Sequence, residues 1–475
     1  MNKTPSLVIG GRKVAGDRGT LPVIDPALGE AFAECPNASP AQLDEAVAAA
    51  ARAFEQWQHS SCAERRALLE AIAARIEQNA PELAEIIVRE QGKPLALAHM
   101  EVGGAVAWTR ATAALELPVE VIEDRPGKRI ELHRRPLGVV GSITPWNWPL
   151  MIAVWHIMPA LRAGNAVVIK PSELTPLNTL RLVELIDEVA PPGLVNAVAG
   201  GAALGRGISG HPGIHKIVFT GSTRTGQDIM RNAADTLKRL TLELGGNDAG
   251  IVLPGTDIGA IAEGVFGSAF LNMGQTCAAL KRLYVHESQY EDMCRHLVAI
   301  AARQKLGSGL DEGTSFGPIQ NRDQFERVCE LVEDARAAGA RILCGGEPLP
   351  GKGYFYPPTI VADIADGTRL VDEEQFGPVL PLLKFDDVDE AIARANASEY
   401  GLGASVWSGD AEKALAIGQR LQAGTVWINE AQHLSPLAPF AGHKQSGAGA
   451  ENGLEGLLEY TATQTITVKK PAAAA

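Results

Sequence analysis

Residues 165–173 read NAVVIKPSE: a short apolar run that stops at Lys170 and is followed at once by proline, serine and Glu173. An apolar run this short, without polar alternation, suits a strand buried on both faces of a parallel sheet. Working outward, similar runs alternate with helix-like segments. Upstream lie GVVGSIT (138–144) and an apolar helix over 149–163. Downstream come a helix over 176–190, the strand LVNAVA, a short helix, the strand HKIVFTG (215–221), a helix over 223–236 and the strand LTLELGG. A second alternating series starts near residue 249 with AGIVL and a helix over 257–272. It continues through RLYVHE, helices around 288–305 and 322–338, ARILCGG, VDEAIARANA, GASVWS, a helix over 411–421 and GTVWINE. This alternation predicts an α/β protein of two lobes, each a parallel sheet covered on both faces.

The flanks differ. From about 40 to 118 apolar residues recur at helical spacing, as in LDEAVAAAARAFEQW and AERRALLEAIAARIEQ. RIELHRRPLGVVGSITPWN reads as a strand pair running into the buried strand. The tail TATQTITVKK (461–470) is β-branched and alternating, a strand whose polar face suits a sheet edge; it would pair with 128–136 or with another subunit. A chain of 475 residues exceeds one hydrophobic core, and 46% hydrophobic with 21% charged residues is a soluble globular composition. No run of about 18 apolar residues appears, so no membrane span is expected. The start MNKTPSLVIGGRKVAG lacks the apolar core and cleavage site of a secretory signal. A formal net charge of −13 argues against nucleic acid as a partner. The six cysteines, at 35, 62, 277, 294, 329 and 344, form neither a disulfide-type framework nor a CxxC pair, which makes a reducing cytoplasm the simplest compartment. Histidines and cysteines are scattered without ligand spacing, so no metal is expected.

Candidate chemistry sits at the strand ends. In open α/β sheets ligands bind at the carboxyl edge, where IKPSE places Lys170 and Glu173. An acidic residue there can accept hydrogen bonds from ribose hydroxyls, although a charged pair in a solvated turn explains KPSE equally well. FTGSTRTG sets Gly221 and Gly226 at a strand-to-helix turn that could approach a phosphate or simply be tight. In TPWNWP (144–149), Asn147 stands on a turn bounded by prolines, where a side-chain amide is a good donor to a developing oxyanion. LELGGN (242–247) carries Glu243, either a solvent-facing carboxylate or a general base held in apolar surroundings. GQTCAAL (274–280) surrounds Cys277 with small residues that give access and unencumbered N–H groups. That pattern suits a nucleophile, but on this motif alone an inert, small buried turn is the better account.

Together and in this order, TPWNWP, GNAVVIKPSE, FTGSTRTG, LELGGN, GQTCAA, DEEQFGPVLP, GLGASVW, GTVWIN and PFAGHKQSGAGAENG resemble the NAD(P)-dependent aldehyde dehydrogenase superfamily over nearly the whole chain, and the 34 residues between Glu243 and Cys277 fit its spacing. The resemblance implies an aldehyde dehydrogenase-like fold: a Rossmann-like NAD-binding domain (1–117 and 137–245), a catalytic domain (246–445), and a β-flap for oligomerisation (118–136 and 456–475). By the same resemblance Cys277 attacks the aldehyde, Asn147 and the Cys277 N–H hold the oxyanion, and Glu243 activates the hydrolytic water. Glu451 matches a second carboxylate assigned to proton relay or deacylation. The implied cofactor residues are Thr144, Pro145, Trp146, Lys170, Ser172, Glu173, Gly201, Gly205, Phe219, Gly221, Ser222, Gly245, Glu374 and Phe376, with Lys170 and Glu173 on the adenosine ribose and Glu374 and Phe376 on the nicotinamide ribose. Trp148, Ile152, Trp155, Leu271 and Phe440 match the substrate channel. Two residues depart from the commoner pattern: Asn247 replaces a lysine, and Ala450 replaces an arginine beside Glu451.

A carboxylate at Glu173 meeting a 2′-phosphate is a like-charge clash, so NAD is expected over NADP. An apolar, aromatic-rich channel favours aromatic or medium aliphatic aldehydes. A homodimer or homotetramer is usual for the family. The alternatives are a CoA-acylating semialdehyde dehydrogenase, against which Glu243 speaks, and a catalytically silent scaffold relative, against which the intact Cys277, Glu243, Asn147, Lys170 and Glu374 speak. A cofactor-free cysteine hydrolase would need a histidine partner, and no Cys–His motif is recognisable.

Overall fold

A computed structural model describes residues 5–471; the first four and last four residues, which the expected NAD-binding domain and flap include, lie outside the described residues. Two sheets dominate. The first has eight strands in the order Arg12–Val14, Leu7–Ile9, Val195–Ala197, Ala166–Lys170, Val139–Ile143, Lys216–Thr220, Arg239–Glu243 and Gly447–Ala448. Its five central strands are parallel, and both edges are antiparallel additions. Every residue of Val139–Ile143, Ala166–Lys170 and Lys216–Thr220 is buried. Because successive side chains point to opposite faces, both faces of the sheet are covered.

The second sheet runs Arg341–Cys344, Thr359–Ala362, Val379–Phe385, Leu280–His286, Asp248–Val252, Gly403–Trp407 and Thr425–Ile428. All pairings are parallel except the first, where the ARILCGG strand closes the edge antiparallel. A third, three-stranded sheet joins Glu120–Arg125, Lys128–Pro136 and the tail Thr461–Lys469. The tail pairs with its neighbour without a break, from Thr461 opposite Pro136 to Lys469 opposite Lys128.

The helices of the first lobe begin where the sequence caps them. Ser39 with Gln42, and Ser61 with Glu64, form reciprocal capping boxes that start Pro40–Trp57 and Cys62–Gln78. Three features were absent from the sequence reading. A hairpin of Thr20–Asp25 and Glu30–Pro36 precedes the first helix. The helix expected over 257–272 ends at Phe270, because Asn272 and Met273 turn left-handed (φ 51° and 60°). The chain also returns to the first sheet at Gly447–Ala448, pairing with Leu242 and Glu243. Glu243 therefore ends one sheet, and only residues 244–247 separate it from Asp248, which opens the next. The strand ends of the first lobe thus face the loops of the second across that link.

Candidate active site

Cys277 lies in the loop between the kinked turn Leu271–Gly274 and the strand Leu280–His286, partly exposed. Gly274 (φ 69°) passes so close to the next loop that a Cβ would sit 2.3 Å from the Gly377 carbonyl oxygen. Only glycine fits there, and the approach fixes where the cysteine loop begins. Burial pushes the Cys277 thiol up to about 12; Lys281 opposes this, while Glu243, Asp248 and Glu374 reinforce it.

The turn carrying Asn147 is bolted to this loop. Asn147 Nδ2 donates to the Gln275 carbonyl at 3.0 Å, and Trp148 Nε1 donates to Thr276 Oγ1 at 3.1 Å. From behind, the Asn147 carbonyl accepts from Lys93 Nζ and Asn272 Nδ2, both at 3.0 Å. Lys93 is itself paired at 2.6 Å with Glu101, both side chains fully buried, and its ammonium lies 3.6 Å from the Trp148 ring centroid. Glu101 accepts from the Leu150 and Met151 N–H groups, free donors at the start of the helix Pro149–Arg162. None of Lys93, Glu101, Asn272 or Gln275 was singled out by sequence. Lys93 stands in QGKP, 54 residues before Asn147, and nothing local signals that the two meet.

Glu243 ends its strand fully buried, with neither carboxylate oxygen hydrogen-bonded. Burial first, and then the charge of Glu451, hold its carboxyl well above the usual carboxylate range. Glu451 is also buried and pairs backbone to backbone with Phe440. His156 Nε2 approaches Glu451 Oε1 to 3.0 Å off the line of a hydrogen bond, which makes this a close polar contact; the same imidazole reaches Thr220 Oγ1 at 3.1 Å and Ser142 Oγ at 2.8 Å. Ser142–His156–Thr220 thus forms a buried polar string beside the carboxylates; Glu451 beside it was anticipated, and none of the three was.

Along the carboxyl edge of the first sheet, Thr144 N–H donates to the Lys170 carbonyl, and Thr144 Oγ1 is buried without a partner. Lys170 Nζ donates to the Pro171 and Gly200 carbonyls and lies 3.5 Å from Glu173, whose side chain is 43% exposed. Gly205 packs on the Lys170 stem, Gly201 precedes the helix Ala202–Gly210, and Ser172 Oγ accepts from the Leu174 N–H. Phe219 stacks on Gly221, and Ser222 caps Thr223–Ala233. Across the gap, Glu374 accepts from the Gly246 N–H, and a Cβ on Gly245 would meet Glu374 Oε2 at 2.5 Å. Trp146, next to Pro145, meets Phe376 edge-on at 5.3 Å.

Ile152, Trp155 and Phe440 form one apolar cluster with Ala278, Leu402 and Trp427, against which Trp148 and Cys277 pack. Trp155 stacks on Trp108 at 6.0 Å and meets Phe440 edge-on at 6.2 Å. Trp427 and Trp108 are additions to the expected set. Leu271 stands outside this cluster, at the helix end, lining a surface cleft of about 380 Å³ with Phe266, Phe270 and Leu97. Asn247 donates to the Val371 and Asp372 carbonyls. Among the described residues no group of acidic, histidine or cysteine side chains could hold a metal ion, and no helix is long and apolar enough to cross a membrane.

A thiol, a side-chain amide and an unpartnered buried carboxylate stand at the loops and strand ends between two largely parallel sheets, an arrangement that fits a cysteine-dependent dehydrogenase. The aldehyde dehydrogenase family model matches residues 13–466, and the chain belongs to that family as an oxidoreductase that oxidises aldehydes. It is 39% identical over 465 residues to aldehyde dehydrogenase LUC3 of a Fusarium species, covering 98% of both chains. It is 40% identical to human retinal dehydrogenase 2 over 466 residues, covering 95% of this chain and 89% of that one. The NAD+ complex of aldehyde dehydrogenase from Bacillus cereus superposes with a TM-score of 0.96 at 38% identity, over 98% of this chain and 97% of that one.

Proposed function

We propose that the protein oxidises aromatic or medium aliphatic aldehydes to carboxylic acids with NAD, through a covalent intermediate on Cys277. The observation that carries this reading is the pairing of a partly exposed thiol with a fully buried, unpartnered Glu243. Cys277 adds to the carbonyl carbon as thiolate, and the oxygen becomes an alkoxide facing Asn147 and the Cys277 N–H. Lys93, Asn272 and Gln275 hold Asn147 so that its amide is in place before charge develops. NAD, when bound, supplies the hydride acceptor that turns the thiohemiacetal into a thioester. Glu243 then takes a proton from water as that water attacks, a task suited to a carboxylate whose basicity burial has raised.

The chain's own residues suit a dinucleotide. The orphaned Thr144 Oγ1, the Lys170–Glu173 pair and the helix started by Ser222 lie along the first sheet's carboxyl edge, and the Glu374 carboxylate stands across the gap from it. Glu173 at the rim favours NAD over NADP by like-charge repulsion. The cluster of Trp108, Trp148, Trp155, Trp427 and Phe440 offers flat apolar faces, and the ammonium of Lys93 against Trp148 is already paired with Glu101, which disfavours a carboxylate-bearing substrate. We assign 1–117 and 137–245 to cofactor binding, 246–445 to catalysis, and the third sheet to homo-oligomer contact. Six unpaired cysteines accord with a reducing compartment such as the cytoplasm.

The test is NAD reduction with benzaldehyde-type and aliphatic aldehydes, with and without CoA. Cys277→Ala abolishes NADH formation without unfolding the protein; undiminished turnover in that variant, or turnover that requires CoA, overturns the reading.

A further inference from the structure

A second buried lysine stands beneath the nucleophile's loop. Lys281 is 2% exposed; its Nζ donates to the Thr276 carbonyl at 2.7 Å and the Cys277 carbonyl at 2.9 Å, and lies 3.6 Å from Glu374 Oε1. The Phe376 ring centroid is 5.5 Å away. A break in strand register brings it there. Asp248 opposes Leu280 and Ala249 opposes Arg282, so Lys281 is the extra residue of a bulge. Bulges re-aim side chains, and this one directs an ammonium to the upper end of the sheet rather than into the core.

The neighbouring strand offers a contrast. Asn247, where the family's commoner pattern has lysine, spends its amide on the Val371 and Asp372 carbonyls. The adjacent strand carries two cations at its start, Lys281 and Arg282, of which Arg282 Nε donates to the Asn247 carbonyl at 2.9 Å. The charged groups that act on Cys277 are Glu243 from the first sheet, Asp248 from the first residue of a second-sheet strand, Glu374 from the facing loop, and Lys281; of these four, Lys281 alone is cationic. Arg327 also faces Glu374, from the far side.

We propose that Lys281 is a positioning residue that ties the Cys277 loop to Glu374, so that one ammonium group sets both the nucleophile's backbone and the carboxylate on the cofactor side. Its thiol half rests on the two hydrogen bonds to the Thr276 and Cys277 carbonyls and on the positive charge they place beside the thiol. Its cofactor half rests on reading Glu374 as the nicotinamide-ribose ligand. Without the ammonium, two carbonyl oxygens lose their donor and Glu374 loses its counter-charge in a buried site. The thiolate loses the one cation that favours it.

The test uses the full chain with Lys281→Met and Lys281→Arg, and with Asn247→Lys added to Lys281→Met. Two readouts are taken: the pH midpoint of iodoacetamide alkylation without cofactor, and KM for NAD alongside kcat. In Lys281→Met the midpoint moves to higher pH and KM for NAD rises roughly tenfold or more, as expected for a lost charged hydrogen bond. Lys281→Arg keeps the midpoint near the parent's, and Asn247→Lys restores part of both. A folded Lys281→Met with the parent's midpoint overturns the proposal, since a merely structural lysine would lower Tm and move neither readout. If Lys281→Met does not fold, Lys281→Gln carries the same expectations. Glu374→Gln separates the two readings. If it leaves KM for NAD unchanged, the ribose assignment fails and the alkylation midpoint alone decides on Lys281; if it raises KM while Lys281→Met does not, the tie is overturned.

Discussion

The two walls of the site handle hydrogen bonding in opposite ways. On the wall built by the first sheet and the returning C-terminal segment, reactive atoms are left alone: Thr144 Oγ1, both oxygens of Glu243, and Glu451 apart from an off-line imidazole. On the wall built by residues 272–281, polar groups are tied down. Gln275 binds Asn272, Asn147 and the Gln320 N–H, and Lys281 binds two carbonyls. A buried carboxylate without partners costs stability but is ready to accept a proton. A loop held by this many hydrogen bonds is restrained, although Asn272 Oδ1 on it stays buried without a partner, and the proposed attack by sulfur needs that restraint. One wall keeps its chemistry available, and the other keeps its geometry.

The sharpest way to break this contrast is to neutralise the available wall. Glu243→Gln is expected to keep a pre-steady-state burst of NADH while steady-state turnover falls by roughly 10²–10⁴; a burst lost together with turnover would mean that Glu243 acts before the thioester. Next in size, Asn147→Ala should lower kcat by about 10²–10³ with the thiol still open to alkylation. Equal losses in kcat and in alkylation rate would show that the turn serves the sulfur instead of the oxyanion.

On the rigid wall the expected loss is in stability. Lys93→Met leaves Glu101 as an uncompensated buried charge, which costs about 3–5 kcal/mol and lowers Tm along with kcat; an unchanged Tm would show the pair to be dispensable.

The smallest effect concerns pH. Because Glu451's charge helps hold Glu243 protonated, Glu451→Gln lowers the Glu243 pKa and moves the acid limb of kcat to lower pH. Stability follows the same sign. A carboxyl whose folded pKa is raised loses stability as pH climbs from its unfolded value through its folded one. Glu243→Gln therefore gains Tm over the parent at alkaline pH, and the gain shrinks on acidification.

Much of the architecture was readable because the parallel strands are buried on both faces, so VVIK and IVFT carry no polar alternation to confuse them. The Thr20–Asp25 and Glu30–Pro36 hairpin escaped because its burial is mixed, and Gly447–Ala448 escaped because two residues carry no period. In the site, Cys277, Glu243 and Asn147 stand out because each lies in a short motif beside glycine or proline and the motifs together resemble one family. Their supports do not. Lys93 lies in the short turn QGKP between two helices, Glu101 lies eight residues on within the second of them, and Lys281 reads as half of a Lys-Arg pair at a strand start. A register break and a long-range contact are tertiary facts, and no local pattern encodes them.

The late return of the chain to its first sheet has a consequence for biogenesis. The parallel core of that sheet is complete at Glu243, yet its last strand and Glu451 come roughly two hundred residues later. At synthesis rates of about 5–20 residues per second, the first lobe waits some 10–40 s with an open edge and an unfinished carboxylate pair. A nascent chain arrested before Gly447 would carry Cys277 without the strand and the Glu451 carboxylate that close this side of the site.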